Sequence, residues 1–182
     1  DLKSVAASGW NAELIPAEDI LKSQFPEVLE ELAKNEARRD ELEALFNEVN
    51  ELEEGEFEEE NYEVFPKDVL KELKAEIKTC NGEISACKKE IKALKIRIKA
   101  NEETTALSAE LTQKEKEQTS VETKKKAIET KLACHTELTN ELKTCKATVA
   151  EIKLKKDALV EKAREKITPE EAKALILERW KD

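Results

Sequence analysis

The sequence predicts an all-α protein: an elongated, long antiparallel coiled-coil hairpin with a preceding amphipathic helix and short terminal helices. Charged residues make up 41% of the 182 residues, and aromatic residues only 4%. The three glycines and four prolines are too few for the turns that a β-sandwich or barrel needs about every 8–12 residues. Apolar residues instead recur every three or four positions, which is typical of long helices.

The part before the hairpin is predicted to contain three segments. Residues 1–25 form an irregular lead-in with one short helix after Pro16, because a proline is well tolerated where a helix begins. Residues 26–54 form an acidic amphipathic helix. Residues 55–66, which are rich in Glu, form an acidic loop. The apolar stripe of the amphipathic helix consists of Val28, Leu29, Leu32, Leu42, Leu45, Phe46, Val49 and Leu52.

Residues 67–166 are predicted to form the antiparallel helical hairpin. Apolar positions from Leu70 to Ile98 alternate at steps of three and four, as the seam of a coiled coil requires. A second amphipathic stretch, from Val121 to Leu159, carries two rows of seam positions seven residues apart. The two stretches therefore predict two long helices that bury their seams against each other.

The two seams match layer for layer when Leu73 faces Ile152 and Cys80 faces Cys145. This register places the tip of the hairpin within residues 107–119 and gives each arm a length of roughly 50–55 Å. A parallel seam between two chains is the alternative, in which the protein is a homodimer. Pairing within one chain is favoured, because the cost of loop closure grows slowly with loop length.

Residues 167–182 are predicted to hold a short C-terminal helix. Thr168 and Glu171 have the spacing of a capping box, and Pro169 stands at the first helical position.

Charge is divided unevenly along the chain. Residues 1–66 carry 20 acidic and 5 basic side chains, and residues 67–182 carry 22 acidic and 27 basic ones, so their net charges are −15 and +5. Two basic clusters lie within 88–99 and 124–131 and are expected to fall opposite each other on the arm. Such runs usually face water. The alternative is contact with a phosphate backbone, for which the candidates are Lys92, Lys95, Lys99 and Lys126.

No catalytic, cofactor-binding or metal site is predicted for this chain. The four cysteines lack the C-x-x-C spacing of metal and redox sites, and small buried thiols in a reducing compartment explain them. His135 is the only histidine and stands at a seam position, where a polar residue commonly sets register. No apolar run is long enough to span a membrane. The chain has no methionine and begins with Asp1, so we expect a fragment or a processed chain.

A partner-binding surface is predicted from apolar and aromatic residues near the base of the hairpin. Aromatic side chains are efficient anchors in interfaces, although a small internal core at the base explains them equally well. The candidates are Trp10, Leu42, Phe46, Val49, Leu175, Ile176 and Trp180.

Two stretches resemble a known family. Gly9-Trp10-Asn11-Ala12-Glu13-Leu14-Ile15-Pro16, with Phe25 and the acidic helix after it, resembles the region behind the catalytic domain of modification subunits of type I restriction-modification systems. These subunits are adenine-specific DNA methyltransferases. The stretch from Glu170 to Trp180 is similar to their short terminal helix. The resemblance covers about 1–78 and 155–182.

The resemblance implies a non-catalytic C-terminal region that docks the specificity subunit in the cytoplasm. It also implies contact with DNA through the assembled complex. S-adenosylmethionine is then the cofactor of the parent protein. The methyl-donor loop and the Asn-Pro-Pro-aromatic motif are absent here, so no catalytic residue is carried over. In this hypothesis the apolar faces of 26–54 and 169–181 stay partly exposed in the isolated chain. A self-dimerising coiled-coil spacer and a basic arm on DNA are the alternatives.

Overall fold

The computed structural model describes residues 12–52, 57–58, 61–100 and 104–179. Within these ranges every regular element is a helix and no strand occurs, which confirms the predicted all-α class. A short 3-10 helix spans Ala12–Leu14. Five α-helices follow it: α1 Ala17–Gln24, α2 Pro26–Glu51, α3 Lys67–Lys99, α4 Thr104–Arg164 and α5 Pro169–Arg179.

Proline and one capping box define where the helices begin. Pro16 and Pro66 cap α1 and α3, whereas Pro26 and Pro169 are the first residues of α2 and α5. A proline suits these positions because the first N–H groups of a helix have no partner inside it.

The capping box of α5 is confirmed. The Thr168 N–H donates to a Glu171 carboxylate oxygen over 2.9 Å, and the Glu171 N–H donates to Oγ1 of Thr168 over 3.4 Å. The bond from the Thr168 backbone is the main reason that the pKa of Glu171 is lowered. Two N–H groups of the first turn thereby gain partners.

The predicted tip of the hairpin at 107–119 is wrong. Those residues lie inside α4, which begins at Thr104, whereas α3 ends at Lys99. Leu107 is buried, so the seam starts earlier in α4 than predicted. The polar residues that suggested a loop fit within the helix. Lys114, for example, is only 30% exposed and reaches two carboxylates, those of Glu90 and Glu117.

The chain divides into two compact units. The first comprises Asp1–Glu43 and Glu141–Asp182, and the second comprises Ala44–Asn140. Helices α2 and α4 each contribute residues to both units.

In the first unit, α2 and the C-terminal part of α4 run antiparallel. Two cross-helix ion pairs define this direction, Glu36–Lys153 at 2.7 Å and Glu43–Lys146 at 2.8 Å, and Arg38 also pairs with Glu141 at 2.7 Å. Arg38 reaches both carboxylate oxygens of Glu141 and thereby lowers the pKa of that carboxyl group.

Two apolar clusters form the core of the first unit. In one, Leu32 of α2 packs with Val149 and Ile152 of α4. The other gathers the short elements at the two ends of the chain around α4. Its buried members are Ala12, Ile15, Ile20, Leu21, Val160, Ala163 and Ala172.

In the second unit, α3 and the N-terminal part of α4 form an antiparallel helical hairpin. The ion pairs Lys95–Glu115 at 2.9 Å, Glu90–Lys114 at 2.9 Å and Glu76–Lys124 at 3.4 Å join the two helices. Lys95, near the end of α3, pairs close to the start of α4, whereas Glu76, nearer the start of α3, pairs further along α4 at Lys124, so the two helices run antiparallel. Phe65, Leu73 and Ile128 form the buried cluster of this unit.

The predicted register of the seams is also wrong. Leu73 shares its cluster with Ile128, which lies 24 residues before the predicted partner Ile152. Ile152 packs against Leu32 of α2 instead, and Cys145 belongs to the first unit, whereas Cys80 belongs to the second. A heptad pattern repeats every seven residues, so it defines the buried face of a helix but not its partner. The apolar stripe of α2 packs against the C-terminal part of α4, which the sequence predicts to pack against α3.

Candidate anion-binding groove

The hairpin of the second unit carries an open groove of about 850 Å³ along one side. Its walls come from the middle of α3 and from a stretch of α4. The lining residues are Asn81, Ile84, Ser85, Lys88, Lys89, Lys92, Glu122, Lys125, Lys126 and Glu129. Five of these ten side chains are lysines, so the groove is predominantly basic.

Four of the five lysines have no acidic partner among the described residues. Lys125 lies 3.4 Å from a carboxylate oxygen of Glu129. Within the part of the chain that the structure describes, Lys88, Lys89, Lys92 and Lys126 have no carboxylate within 4 Å. Their ammonium groups are therefore available to an external anion. We call these four residues the groove lysines.

Helical spacing explains why the α3 lysines share one side of the hairpin. Lys88 and Lys92 are four residues apart, a spacing that stacks side chains on one face of a helix. Ile84 and Ile91 turn into the seam and are buried, which leaves the lysines exposed at its edge. The contrast between buried isoleucine and exposed lysine follows directly from the amphipathic pattern.

A second, smaller groove of about 410 Å³ adjoins this lysine row. It is lined by Lys88, Ile91, Lys92, Lys95, Ile96, Lys99 and Gln118. Lys88 and Lys92 line both grooves, so they form a ridge between them. Ile96 is 60% exposed, and it adds an apolar side chain to the lining of the smaller groove beside the ammonium groups.

The acidic residues near the ridge are largely engaged in pairs between the helices. Glu90, the one acid among the lysines of this stretch, bonds Lys114 at 2.9 Å, and Glu115 bonds Lys95 at 2.9 Å. The hydrogen bonds that Lys114 donates to the carboxylates of Glu90 and Glu117 raise the pKa of Lys114. These pairs join the two helices. Of the two acids that line the larger groove, Glu129 pairs with Lys125 and Glu122 accepts a hydrogen bond from Gln118, and neither lies within 4 Å of a groove lysine in the described chain.

The lysine ammonium group suits phosphate recognition. It is a compact charge with three donors on a flexible stem, and it binds phosphate oxygens without demanding one orientation. In the described ranges, no group of three or more His, Cys, Asp or Glu residues is arranged to hold a metal ion. The chemistry that the lysine ammonium groups offer is reversible binding of an anion.

The structure distributes the four predicted nucleic-acid residues over both grooves. Lys92 and Lys126 line the larger groove together, whereas Lys95 and Lys99 line the smaller one. Sequence reasoning had left Lys88, Lys89 and Lys125 out of the candidate set, although all three belong to the basic clusters. Their distance from Lys92 and Lys126, one to four residues, was the signal that could have included them.

The predicted partner-binding surface is largely internal. Leu42 is 0% exposed and Val49 is also buried, so the expectation that the α2 face stays partly exposed is wrong at these positions. Phe46 is half-buried, with its ring 5.6 Å from the ring of His135. Leu175 and Ile176 pack against the core of the first unit. Trp10 and Trp180 lie outside the described residues.

His135, the histidine at a seam position, lies among aromatic side chains. The Phe65 N–H donates to Nδ1 of His135 over 3.1 Å. The Phe57 ring lies 5.4 Å from the Tyr62 ring and 5.9 Å from the Phe65 ring. These aromatics form a core beside the start of α3, as the internal-core alternative predicted.

The four cysteines are free thiols. Cys80 and Cys145 are buried, and Cys87 and Cys134 are half-buried. They occupy positions of small apolar residues, in agreement with the prediction for the seam.

None of the helices in the described residues has the length and apolar character that crossing a bilayer demands. No protein-family model, no curated protein and no solved structure matches the chain.

Proposed function

We propose that this chain is a non-catalytic helical binding module whose α3–α4 hairpin contacts the phosphate backbone of a nucleic acid. The observation that carries this proposal is the larger groove, in which four lysines from two helices have no acidic partner within the described chain. Partnerless lysines on a single helix face are ordinary surface residues. Convergence of lysines from both walls of one groove favours an anion that lies along it.

The energetics of such a contact come mainly from counterion release. Each phosphate that a lysine neutralises frees condensed cations, so affinity rises steeply as salt is lowered. The overall acidity of the chain does not oppose this locally, because residues 67–182 carry a net charge of +5. The Debye length is only about 8 Å at physiological salt, so distant acidic residues are largely screened.

The test compares two charge-matched variants. In the groove variant Lys88, Lys89, Lys92 and Lys126 are changed to Gln. In the control variant Lys22, Lys34, Lys162 and Lys173, exposed residues of the first unit, are changed to Gln. Both variants lose four positive charges, and Gln keeps helix propensity close to that of Lys.

We expect the groove variant to bind a fluorescent DNA duplex at least 100-fold more weakly than the wild type at about 0.1 M salt, and the control variant to lose less than about fivefold. Equal losses in the two variants would mean that net charge alone drives binding. Absence of binding by the wild type would overturn the proposal.

A second candidate function is docking of the specificity subunit of a type I restriction-modification complex. It rests on the resemblance at the two ends of the chain, and S-adenosylmethionine belongs to it only as a cofactor of a longer parent protein. The observation that favours it is the exposure of Leu14 and Leu177, because the 3-10 helix and α5 that carry them pack together in the first unit. We expect the wild-type chain to co-purify with the specificity subunit, and the variant in which both leucines are changed to Asp not to co-purify with it. Failure of the wild type to form this complex would dismiss the second candidate function.

A further inference from the structure

We infer that the grooves hold double-helical nucleic acid through its backbone, without reading its bases and in preference to single strands. This inference rests on the proposed function and specifies the substrate class of the same site. Three features of the groove linings support it: the absence of aromatic side chains, the absence of arginine, and the linear spacing of the lysines.

Neither groove lining contains an aromatic side chain. Proteins that bind single strands stack exposed bases on aromatic rings, which contribute about 1–3 kcal/mol per base. The described aromatic residues of the second unit are occupied elsewhere. Phe46, Phe57, Tyr62 and Phe65 pack with one another or with His135. A single strand would therefore find charge in the grooves but no stacking platform.

The linings also contain few of the planar side chains that read base edges. Guanine is read by Arg or Lys and adenine by Asn or Gln, and of these only Arg, Asn and Gln present a planar group. No arginine lines either groove, and Asn81 and Gln118 stand alone, one in each groove. Lysine contacts to phosphate position a protein on a duplex but carry no sequence information. Binding is therefore expected to be independent of sequence.

The spacing of the ridge fits a dense row of phosphates. The ridge residues Lys88 and Lys92 lie four residues apart on α3, which is about 6 Å at 1.5 Å per residue. A duplex presents one negative charge per ~1.7 Å of its axis, twice the linear density of either of its strands. Over the length of the ridge, a duplex thus offers more phosphates than there are lysines, so each ammonium group can find one.

The closing experiment uses the full chain and four fluorescent probes of about 24 nucleotides or base pairs in anisotropy titrations. Two are DNA duplexes of unrelated sequence, one is an RNA duplex, and one is a single DNA strand. Four neutralised phosphates give salt slopes of about −3.6 for a duplex and −2.8 for a single strand. Counted from a common affinity at about 1 M salt, these slopes differ by roughly sixfold in affinity at 0.1 M salt. We expect the two DNA duplexes to bind within about twofold of each other and the single strand about sixfold more weakly.

The outcomes separate this inference from the proposed function. A single strand that binds as tightly as the duplexes, or one DNA sequence preferred by more than about tenfold, would overturn the inference while leaving nucleic-acid binding intact. No binding to any probe at low salt would overturn the proposed function itself. The RNA duplex identifies which kind of double helix is held, and tighter binding of either kind than of the single strand supports the inference.

Discussion

The backbone N–H of Phe65 donates a hydrogen bond to Nδ1 of His135 over 3.1 Å, which ties the segment before α3 to the middle of α4. An imidazole nitrogen accepts such a bond only when it carries no proton. His135 must therefore be neutral in this arrangement. The rings of Phe46 and Phe65, 5.6 and 6.0 Å away, complete its surroundings.

Stability of the chain is expected to fall on acidification through this histidine. Partial burial, and secondarily the charge of Lys74, lower the pKa of His135 in the folded chain. The unfolded chain binds the proton more tightly, so the stabilisation is complete above the ordinary histidine pKa of about 6.5 and is lost as pH falls through the lowered pKa. Urea unfolding between pH 7.5 and pH 5 measures this loss.

The His135→Gln variant serves as the control for that titration. Gln has no charge to gain, so its unfolding free energy should be flatter over the same pH range, before the carboxylates titrate. Loss of the hydrogen bond should cost about 1–3 kcal/mol at pH 7.5. A pH profile unchanged by the substitution would show that another group is responsible.

The hairpin seam illustrates what sequence can and cannot predict. The 3.5-residue periodicity correctly indicated two long helices and the buried faces of Leu73 and Ile128. It could not select their partners, because every shift by a heptad presents a similar apolar face. The competition between α2 and α3 for α4 is a property of the folded chain, and Ile152 pairs with Leu32 because α2 also offers a seam.

Zero-length cross-linking of carboxylates to lysines tests the register directly. The structure predicts cross-links Glu90–Lys114, Glu115–Lys95 and Glu76–Lys124 after carbodiimide treatment, identified by mass spectrometry. All should arise in monomeric protein. Cross-links of Lys74 to Glu151 or of Lys95 to Glu129 would support the register that the sequence predicts, and products confined to a dimer band would favour pairing between chains.

Replacement of Gly82 by alanine is expected to stabilise the folded chain. It lies within α3, and a Cβ added there meets nothing within 4 Å. Gly82→Ala should raise the unfolding free energy by roughly 0.5–1 kcal/mol, since glycine is the more flexible residue in the unfolded chain. Ala86→Gly, one turn later on the exposed surface of α3, is the matched control and should lower it by a similar amount. A destabilising Gly82→Ala would mean that α3 is not helical at this point.

Substitution of Leu42 tests whether the apolar face of α2 belongs to the core or forms a docking surface. It is 0% exposed, so Leu42→Ala should cost about 2–5 kcal/mol of unfolding free energy. Leu154, 78% exposed on α4, is the control, and its change to Ala should shift stability by less than about 0.5 kcal/mol. Equal small effects in thermal unfolding would indicate that the α2 face is open in solution and available to a partner.

Only part of the candidate groove could be predicted from the sequence. The two basic clusters could be predicted from residue spacing, and two of the predicted nucleic-acid residues, Lys92 and Lys126, line the larger groove. The pairing status of each lysine was not visible, because it depends on which glutamates α4 places opposite α3. Lys95 is neutralised by Glu115, whereas Lys88 and Lys89 have no carboxylate within 4 Å in the described chain.

The most direct measurement of the central claim is the salt dependence of duplex binding by the wild type and the groove variant. With four groove lysines on phosphates, we predict a slope of log Kobs against log salt of about −3.6, equivalent to roughly 150-fold weaker binding at 200 mM than at 50 mM salt. In the groove variant the slope should approach zero, because each lost lysine removes about one unit. A wild-type slope near zero, or a slope that the four substitutions leave unchanged, would contradict the assignment of this groove to a phosphate backbone.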